Sequence, residues 1–477
     1  MGTHLHRSVW GAGVLSVALL SACSHTPSQP PAALAAVPAA WRAPSVQAPM
    51  PDPQWWQGFQ SRELARLIGL ALSDAPDLQI AVQRVRQAEL AVRQAGASLF
   101  PSLALSASTG TRRSDTPGSA GPTQSDSSSA GLNIGYEVDL WGRIQAGVRG
   151  AEASLDGARY DQETVRLTLT TGVANAYFQY ISLSDRIDIA RQNLALAERL
   201  MAIVDTRARF GSASALDVSR QRTTVLQQQA ALVPLEAQLR QTHHALALLV
   251  GQMPAGLSFT GERIEQLSAP AIGVGVPSAI LSRRPDIARS EADLRAAAAN
   301  VDQARAALLP SLQLSAGATL STAELLSLAD PTRVLSITGS LAQNLFDGGR
   351  LRAQADISEV QRQQALLSYR KTLLTAVKEV EDALVGTERQ ISQERSQLAV
   401  RDEALRALGL AEQRYKAGAA GLSDVLDAQR TYYSAQDQLA QIRLARLTAT
   451  VDLIKALGGG WQQPERTAAA RTMGDRT

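Results

Sequence analysis

Four short stretches of the chain alternate apolar and polar residues with a period of two, which predicts β-strands. In the clearest of them, every second residue from Leu132 to Leu140 is apolar, and the intervening residues include Glu137 and Asp139. The four strands are expected at about 102–112, 130–141, 311–321 and 334–346. Roughly ten residues is the length that crosses a bilayer at a tilt, so one face of each strand suits lipid and the other suits water.

The segments between the strands follow the four-three spacing of apolar residues that is typical of helices packed as coiled coils. The two longest helices are predicted at about 142–209 and 349–416, and each would be on the order of 100 Å long. Shorter helices are predicted at about 61–98, 213–250, 284–308 and 422–457. Pro101 forbids continuation of the first of these, because proline lacks the N–H and clashes with the preceding turn.

This order of elements occurs twice, and short motifs recur with it at a spacing of roughly two hundred residues. The sequence LFPSL at Leu99 returns as LLPSL at Leu308, and Gly211 in the segment 207–218 matches Gly418 in 414–425. Such a period is far too long for a solenoid and predicts a duplicated half-protein. The two structural repeats are placed at about 55–257 and 258–457.

The four strands cannot close a membrane barrel by themselves. Every backbone polar group must be paired in lipid, so an open four-stranded sheet is excluded and further copies of the chain must complete it. Two copies would give eight strands and three would give twelve. The sequence pattern therefore predicts an oligomeric α+β membrane protein, and the strand count alone does not choose between these numbers.

The first residues read as a targeting signal. A basic start and the apolar run 9–20 end in Leu20-Ser21-Ala22-Cys23, which resembles the lipobox of bacterial lipoproteins. That likeness implies a signal peptide at 1–22 and a lipid on the sulfur of Cys23. The Pro/Ala-rich composition of 23–54 predicts an extended tether between the lipid and the folded body. Ser24 favours the outer membrane. Cys23 is also the only cysteine, which excludes an intramolecular disulfide. A flexible tail is expected at about 458–477.

Composition excludes several other functions. The 477 residues contain only 4% aromatics and carry a net charge of +3 without a concentrated basic stripe, so nucleic acid is not an expected partner. No phosphate loop, nucleophile elbow or metal-spaced His/Cys cluster occurs. His243 and His244 are adjacent on a predicted helix, where neighbouring side chains point in different directions. We therefore expect no enzyme, no metal site and no cofactor besides the lipid.

Several motifs together carry a family resemblance: WW at Trp55, YEVDLWG at Tyr136, RRPDI at Arg283, LFDGG at Leu345 and DVLDAQ at Asp424. With the LFPSL motif, they make the chain similar to the TolC-like outer-membrane factors, in the NodT-type lipoprotein branch that serves multidrug efflux. The resemblance implies a homotrimer with a twelve-stranded transmembrane β-barrel continuous with an α-helical barrel. Its closed periplasmic end would dock a periplasmic adaptor protein and an inner-membrane transporter of the RND type. The channel would conduct solutes passively, and the transporter would supply the energy.

The candidate gate lies just after the second tip loop. Asp424 and Asp427 are three residues apart and share a helix face, which a three-fold assembly would turn into two carboxylate rings. The resemblance implies that these rings narrow the entrance, that Arg430 ties the ring to a neighbour, and that Tyr415 hydrogen-bonds in the closed state. Ala420 stands where some relatives have an arginine, so the sequence does not identify the residues that hold the closed state.

Other interpretations of the same residues remain. Asp424 could cap its helix and Asp427 could be a solvated surface residue, while their counterparts in the first repeat are Asp217 and Arg220. The tip-loop glycines, Gly211 and Gly418, are expected to mark helix ends. For the whole protein, the alternatives are a lipid-anchored coiled-coil scaffold without a pore and a conduit for protein secretion. The pump would set the transported substrate.

Overall fold

A computed structural model describes residues 39–42, 48–115, 117 and 121–463. The chain divides into two compact units. The first, called the strand unit here, holds the described residues of Arg86–Gly157 and Ser290–Tyr369. The second, called the helix unit, holds those of Ala35–Val85, Ala158–Arg289 and Arg370–Thr477. Each unit contains residues from both sequence repeats, so a repeat does not correspond to a unit.

The strand unit contains one antiparallel sheet with the strands in chain order. Its strands are β1 (Ser102–Ser114), β2 (Thr123–Val138), β3 (Ser311–Thr322) and β4 (Thr332–Ala342). The register places Leu105, Leu132, Ala318 and Leu335 side by side, so the predicted apolar residues of all four strands share one face. That face is solvent-exposed in the single chain, with Leu335 at 85% exposure.

The strand limits differ from the prediction at the hairpin turns. β1 runs on to Ser114, two residues beyond its predicted end, and β2 begins at Thr123, seven residues before its predicted start. Serine and threonine pairs across the two strands continue the ladder, as in Ser108 Oγ to Ser129 Oγ at 2.9 Å. Because both faces are polar there, no apolar alternation marks these residues as strand. β4 ends at Ala342, short of the predicted limit at 346.

Seven α-helices lie within the described part of the chain. They are α1 (Arg62–Asp74), α2 (Pro76–Ala97), α3 (Arg143–Arg209), α4 (Ala215–Leu249), α5 (Pro285–Ala306), α6 (Arg350–Lys416) and α7 (Leu422–Ala456). The last five agree with the prediction to within two residues at each end. The helix predicted at about 61–98 is wrong as a single element, because Ala75 is extended and Pro76 starts a new helix. None of the described helices is long and apolar enough to cross a membrane.

Two of the family motifs, YEVDLWG and LFDGG, form the connections between a strand and the long helix that follows it. The Asp139 carboxylate accepts hydrogen bonds from the backbone N–H groups of Ile144, at 3.1 Å, and Gln145, at 2.8 Å, at the start of α3. Asp347 does the same at the start of α6, accepting from Leu351 N–H at 3.0 Å. A carboxylate at a helix N-terminus satisfies free donors and suits the helix dipole. LFDGG forms this turn, which is why β4 ends before it.

The double tryptophan motif anchors the core of the helix unit. Trp55 and Trp56 are buried in a 3₁₀ turn that leads into α1. Phe59 of the same turn packs against Phe178 of α3, with ring centroids 5.0 Å apart. α1 then begins at the cap Ser61, whose side chain accepts the Leu64 N–H at 3.0 Å. The aromatic turn therefore joins the start of the first repeat to the middle of its longest helix.

The RRPDI motif holds the C-terminal end of α7. Arg284 is buried and donates to the Ala456 carbonyl at 2.9 Å, to Asp286 at 2.7 Å and to Glu379 at 2.7 Å. Burial alone would lower the pKa of Arg284, but the hydrogen bonds and charges of Asp286 and Glu379 raise it above its usual value. The matching position of the first repeat is Ala75, so this buried cation belongs to the second repeat alone.

The predicted flexible tail begins too early. Gly458, Gly459 and Gly460 are buried and have positive φ angles, and Gln463 N–H donates to the Ser282 carbonyl at 3.1 Å. The predicted tether likewise ends too late, since Gly273 N–H donates to the Pro49 carbonyl at 2.9 Å. Close backbone packing, which composition does not reveal, orders both segments. The signal peptide, Cys23 and residues 464–477 lie outside the described residues.

Replacement of Gly458 by alanine is expected to destabilise the helix unit by about 2 kcal/mol or more. Its φ is +89°, and a Cβ would lie 1.8 Å from the Arg283 carbonyl oxygen, so backbone would have to move. The measurement is the thermal unfolding midpoint of the purified protein, followed by circular dichroism. Gly409→Ala is the control, because a Cβ there meets nothing within 4 Å. Equal midpoints for the two variants would contradict this account.

Candidate functional site

The two long helices end in the same way at the tips of the helix unit. Gly211 after α3 and Gly418 after α6 both have φ of +74°. The residue after each glycine donates its N–H to a carbonyl five residues earlier, Ser212 to Arg207 at 2.8 Å and Ala419 to Arg414 at 2.9 Å. These are glycine C-caps, in which only glycine takes the left-handed conformation without strain. Both glycines therefore terminate helices.

Arg207 of the first tip binds Tyr415 of the second. The Arg207 Nη1 donates to the Tyr415 carbonyl at 2.5 Å, and its guanidinium carbon lies 4.6 Å from the centre of the Tyr415 ring. The tyrosine carbonyl belongs to the last turn of α6 and also accepts the Gly418 N–H at 3.0 Å. A charge-assisted hydrogen bond combined with a cation–π contact ties the two hairpins together within one chain.

The Tyr415 ring belongs to a small apolar cluster beneath this contact. It is 5% exposed and packs with Leu200, Val204, Leu422 and Val425 among others. Burial raises the pKa of the Tyr415 hydroxyl, and the charge of Arg207 offsets part of that shift. The hydroxyl therefore stays protonated at physiological pH. The predicted closed-state role of Tyr415 stays a prediction, but its ring and carbonyl already join the two hairpins.

Asp424 and Asp427 lie on the exposed face of α7, opposite the buried Leu422 and Val425. Asp427 Oδ1 accepts from Arg430 Nη2 at 2.5 Å, and the two side chains are 69% and 80% exposed. An exposed pair of this spacing is worth about 0.5 kcal/mol or less. In the single chain Arg430 thus pairs with its own Asp427, and the tie to a neighbouring chain stays a prediction.

The first repeat uses the aspartate at this position differently. Ser214 caps α4, and Asp217 completes a capping box by accepting the Ser214 N–H at 3.0 Å. The Ser214 backbone N–H and hydroxyl hold the pKa of Asp217 below its usual value. In the second repeat the cap is Gly421, which has no side chain to offer, and no capping bond from it is found. Asp424 therefore takes no part in a capping box of the kind that Asp217 makes.

Sequence reasoning missed two residues of this region. Arg207 opens the repeated segment 207–218, so the repeat itself was the signal that could have singled it out. Gln429 is fully buried on the inner face of α7, and within the described residues neither polar atom of its amide has a hydrogen-bond partner. Gln429 follows the buried Val425 by four residues and precedes the buried Tyr433 by four, so the spacing of apolar residues along α7 was the signal that could have placed it on the inner face.

The paired histidines take a packing role. His243 Nε2 is 3.0 Å from the Leu257 carbonyl, and its ring stacks on Phe259 with centroids 5.6 Å apart. Among the described residues, no group of three His, Cys, Asp or Glu side chains is placed to hold a metal ion.

Comparison with known proteins agrees with this architecture. The family model described as outer membrane efflux protein matches residues 67–252 and 276–459. The chain is 42% identical over 469 residues to the pyoverdine export outer membrane protein OpmQ of Pseudomonas aeruginosa, covering 95% of this chain and 97% of the relative. It is 32% identical to outer membrane protein OprJ of the same species, covering 96% and 98%. Among solved structures, the outer-membrane channel OprN matches with a TM-score of 0.84 at 27% identity, covering 92% and 100%.

The chain therefore belongs to the outer membrane efflux protein family and is an outer-membrane channel component of an efflux system. The resemblance to TolC-like channels is confirmed, and with it the fold class: a mostly helical subunit with four strands and an internal repeat. The three relatives are named as an export protein, an outer membrane protein and a channel, and none of the three names describes an enzyme.

Replacement of Arg207 by glutamine is expected to loosen the tip of α6. It removes a contact worth about 1–2 kcal/mol, so amide exchange at residues 414–421 should become roughly tenfold faster. Hydrogen–deuterium exchange of the purified protein measures this. Arg209→Gln is the matched control, since within the described residues that side chain bonds only Thr206 on its own helix. The same rate in Arg207→Gln and wild type would show that the contact does not hold the tips.

Proposed function

We propose that three copies of this chain form a transmembrane channel that conducts solutes passively. The observation that carries the proposal is the open sheet: β1 and β4 are its edges, and its apolar face is exposed. Unpaired edge groups are not tolerated in lipid, so β4 of one copy must pair with β1 of the next. Three copies give twelve strands, the number implied by the resemblance, which leaves room for a lumen.

The helix unit supports the same assembly. α4 exposes Leu226, Val233 and Leu248, and α6 exposes Leu374 and Leu405. Apolar side chains repeated along a helix face are typical of surfaces that a partner covers. Neighbouring copies would cover them, and the helices of three copies would then surround one tunnel.

The tips are proposed as the gate. Asp424 and Asp427 are exposed, Asp424 is not used in a capping box, and Val425, which lies between them, packs in the same apolar cluster as Tyr415. Three copies would repeat these carboxylates around an axis, where the side chains would narrow the entrance and favour cations over anions. Arg430 offsets part of this charge through Asp427.

The remaining parts of the proposal come from the sequence and from the family. Lipid on Cys23 would anchor the chain to the outer membrane, the tips would receive a periplasmic adaptor protein, and an inner-membrane transporter of the RND type would supply the energy. Drugs or other small solutes are the proposed cargo. Pyoverdine is the first solute to test, because the relative OpmQ is named as a pyoverdine export protein.

The double variant Asp424→Ala, Asp427→Ala is expected to conduct several times more than wild type. Removing the carboxylates removes both the rings and the Asp427–Arg430 pair, which together restrict the entrance. Single-channel conductance in planar bilayers is the measurement. A small wild-type conductance that rises in the variant supports both the pore and the gate.

Asp217→Ala is the control for this experiment, because it removes the matching aspartate of the first repeat and with it a helix cap. An equal rise in that control would mean that a frayed helix start opens the channel, and the ring would be abandoned. No conductance from any of the proteins, with oligomers demonstrated by mass, would contradict the conduit and favour the poreless scaffold.

A further inference from the structure

The apolar face of the sheet is made of rows of four residues that lie side by side across the strands. At the end of the sheet nearest the β1–β2 and β3–β4 turns, one such row is the last that contains mostly apolar residues. The register places Ala107, Ala130, Leu320 and Arg333 side by side across β1 to β4. From Leu312 to Leu320 along β3, five alternate residues form the apolar face. Their span is about 27 Å at 3.4 Å per residue. At a tilt of about 40° this gives a height of roughly 20 Å, close to the apolar band of outer-membrane barrels.

Arg333 is the charged residue in that last row. It lies on the same face as Leu335 and Ile337 and is exposed. Within the described part of the chain, its guanidinium has no ion pair and no hydrogen bond. The long arginine stem can lie along apolar surface while its head reaches the polar boundary. An unpaired cation at the edge of an apolar band calls for an anionic partner at the same level.

The β3–β4 loop, residues 323–331, extends the same face by one further row. Ser128 Oγ donates to the Glu324 carbonyl at 2.7 Å, and Leu326 N–H donates to Thr109 Oγ1 at 3.2 Å. Thr109 and Ser128 are register partners two residues beyond Ala107 and Ala130, on the apolar face. The loop therefore lies against the outside of the hairpin, where it exposes three leucines: Leu325, Leu326 and Leu328.

We propose that Arg333 and the three loop leucines bind phosphate-bearing lipid of the membrane leaflet that surrounds the hairpin end of the sheet. The guanidinium would donate two hydrogen bonds to one headgroup phosphate, and the leucines would contact the upper part of the acyl chains. This inference rests on the proposed function, since it requires the apolar face to lie in lipid. The opposite face of the sheet offers a matched contrast, because Arg112 of β1 points to that side.

The test uses the full chain, purified as oligomer and freed of lipid in a non-ionic detergent. Diphosphorylated lipid A in mixed micelles is the probe, and native mass spectrometry reports its retention and apparent Kd. We expect Arg333→Gln to weaken binding roughly tenfold, which corresponds to the loss of one charge-assisted contact. Replacing the three leucines by serine should weaken it as well, and Arg333→Lys should retain part of it. Arg112→Gln should bind like wild type.

Three results would overturn the proposal. One is an unchanged Kd in both Arg333→Gln and the leucine variant. Another is equal binding of inorganic phosphate at the same concentration, which would indicate a free-anion site. The third is loss of the oligomer in lipid-free detergent on Arg333→Gln alone, which would assign Arg333 to the contact between copies. Wild-type conductance reports separately on the proposed function, so a protein that conducts but does not bind lipid A contradicts this inference only.

Discussion

The unpaired backbone groups at the two edges of the sheet are the constraint on which the rest of this structure depends. A four-stranded sheet with one apolar face cannot rest in lipid as a single chain, because the N–H and C=O groups of β1 and β4 would lack partners. Association of copies removes both edges, and in the proposed assembly it would also cover the exposed apolar side chains of α4 and α6. Assembly is therefore part of folding for this protein, and a stable isolated chain in the membrane is not expected.

The duplication supplies the scaffold, and the differences between the repeats supply its specialised parts. In both repeats a glycine after the last helix packs against the turn before a Pro-Asp helix start: Gly251 against Asp74, and Gly458 against Arg283. Only the second repeat buries an arginine at that turn, where it bonds the end of α7. Only the first repeat caps its tip helix with a serine. The same backbone therefore carries a first hairpin whose tip aspartate is used in a capping box and a second hairpin whose Asp424 is not.

The tip contacts are individually weak, which suits the gate that we propose at this end of the helix unit. The Asp427–Arg430 pair is exposed and contributes little, while the Arg207–Tyr415 contact is partly buried and contributes about 1–2 kcal/mol. A closed state held by several such contacts can be opened by a partner that offers a few contacts of its own. A single deeply buried network would instead lock the entrance.

The fold was largely predictable because its signals are long and repeated. α3 and α6 are each 67 residues long and are marked by the four-three spacing of apolar residues. Because the sequence is duplicated, each element is also predicted by its counterpart in the other repeat. The start of β2 was not predictable, since serines and threonines on both faces carry no alternation. The break at Ala75 was missed because a proline at a helix start and one inside a helix look alike in sequence, although the matching Arg284-Pro285 of the second repeat was placed at a helix start. Of the candidate site, the two helix-ending glycines were located from the sequence, whereas Arg207 and Gln429 were not, and the gate role of the acidic pair stays a prediction.

By itself, the sequence determined the strand faces, the long helices, the helix-ending glycines and the need for more than one copy. These follow from periodicity, from glycine's conformational freedom and from the rule that backbone groups in lipid must be paired. The tertiary structure alone decided that Arg207 meets Tyr415, that Arg284 holds the end of α7, and that the glycines at 458–460 are packed. Each of these depends on residues brought together from distant parts of the chain, and local pattern carries no information about such partners.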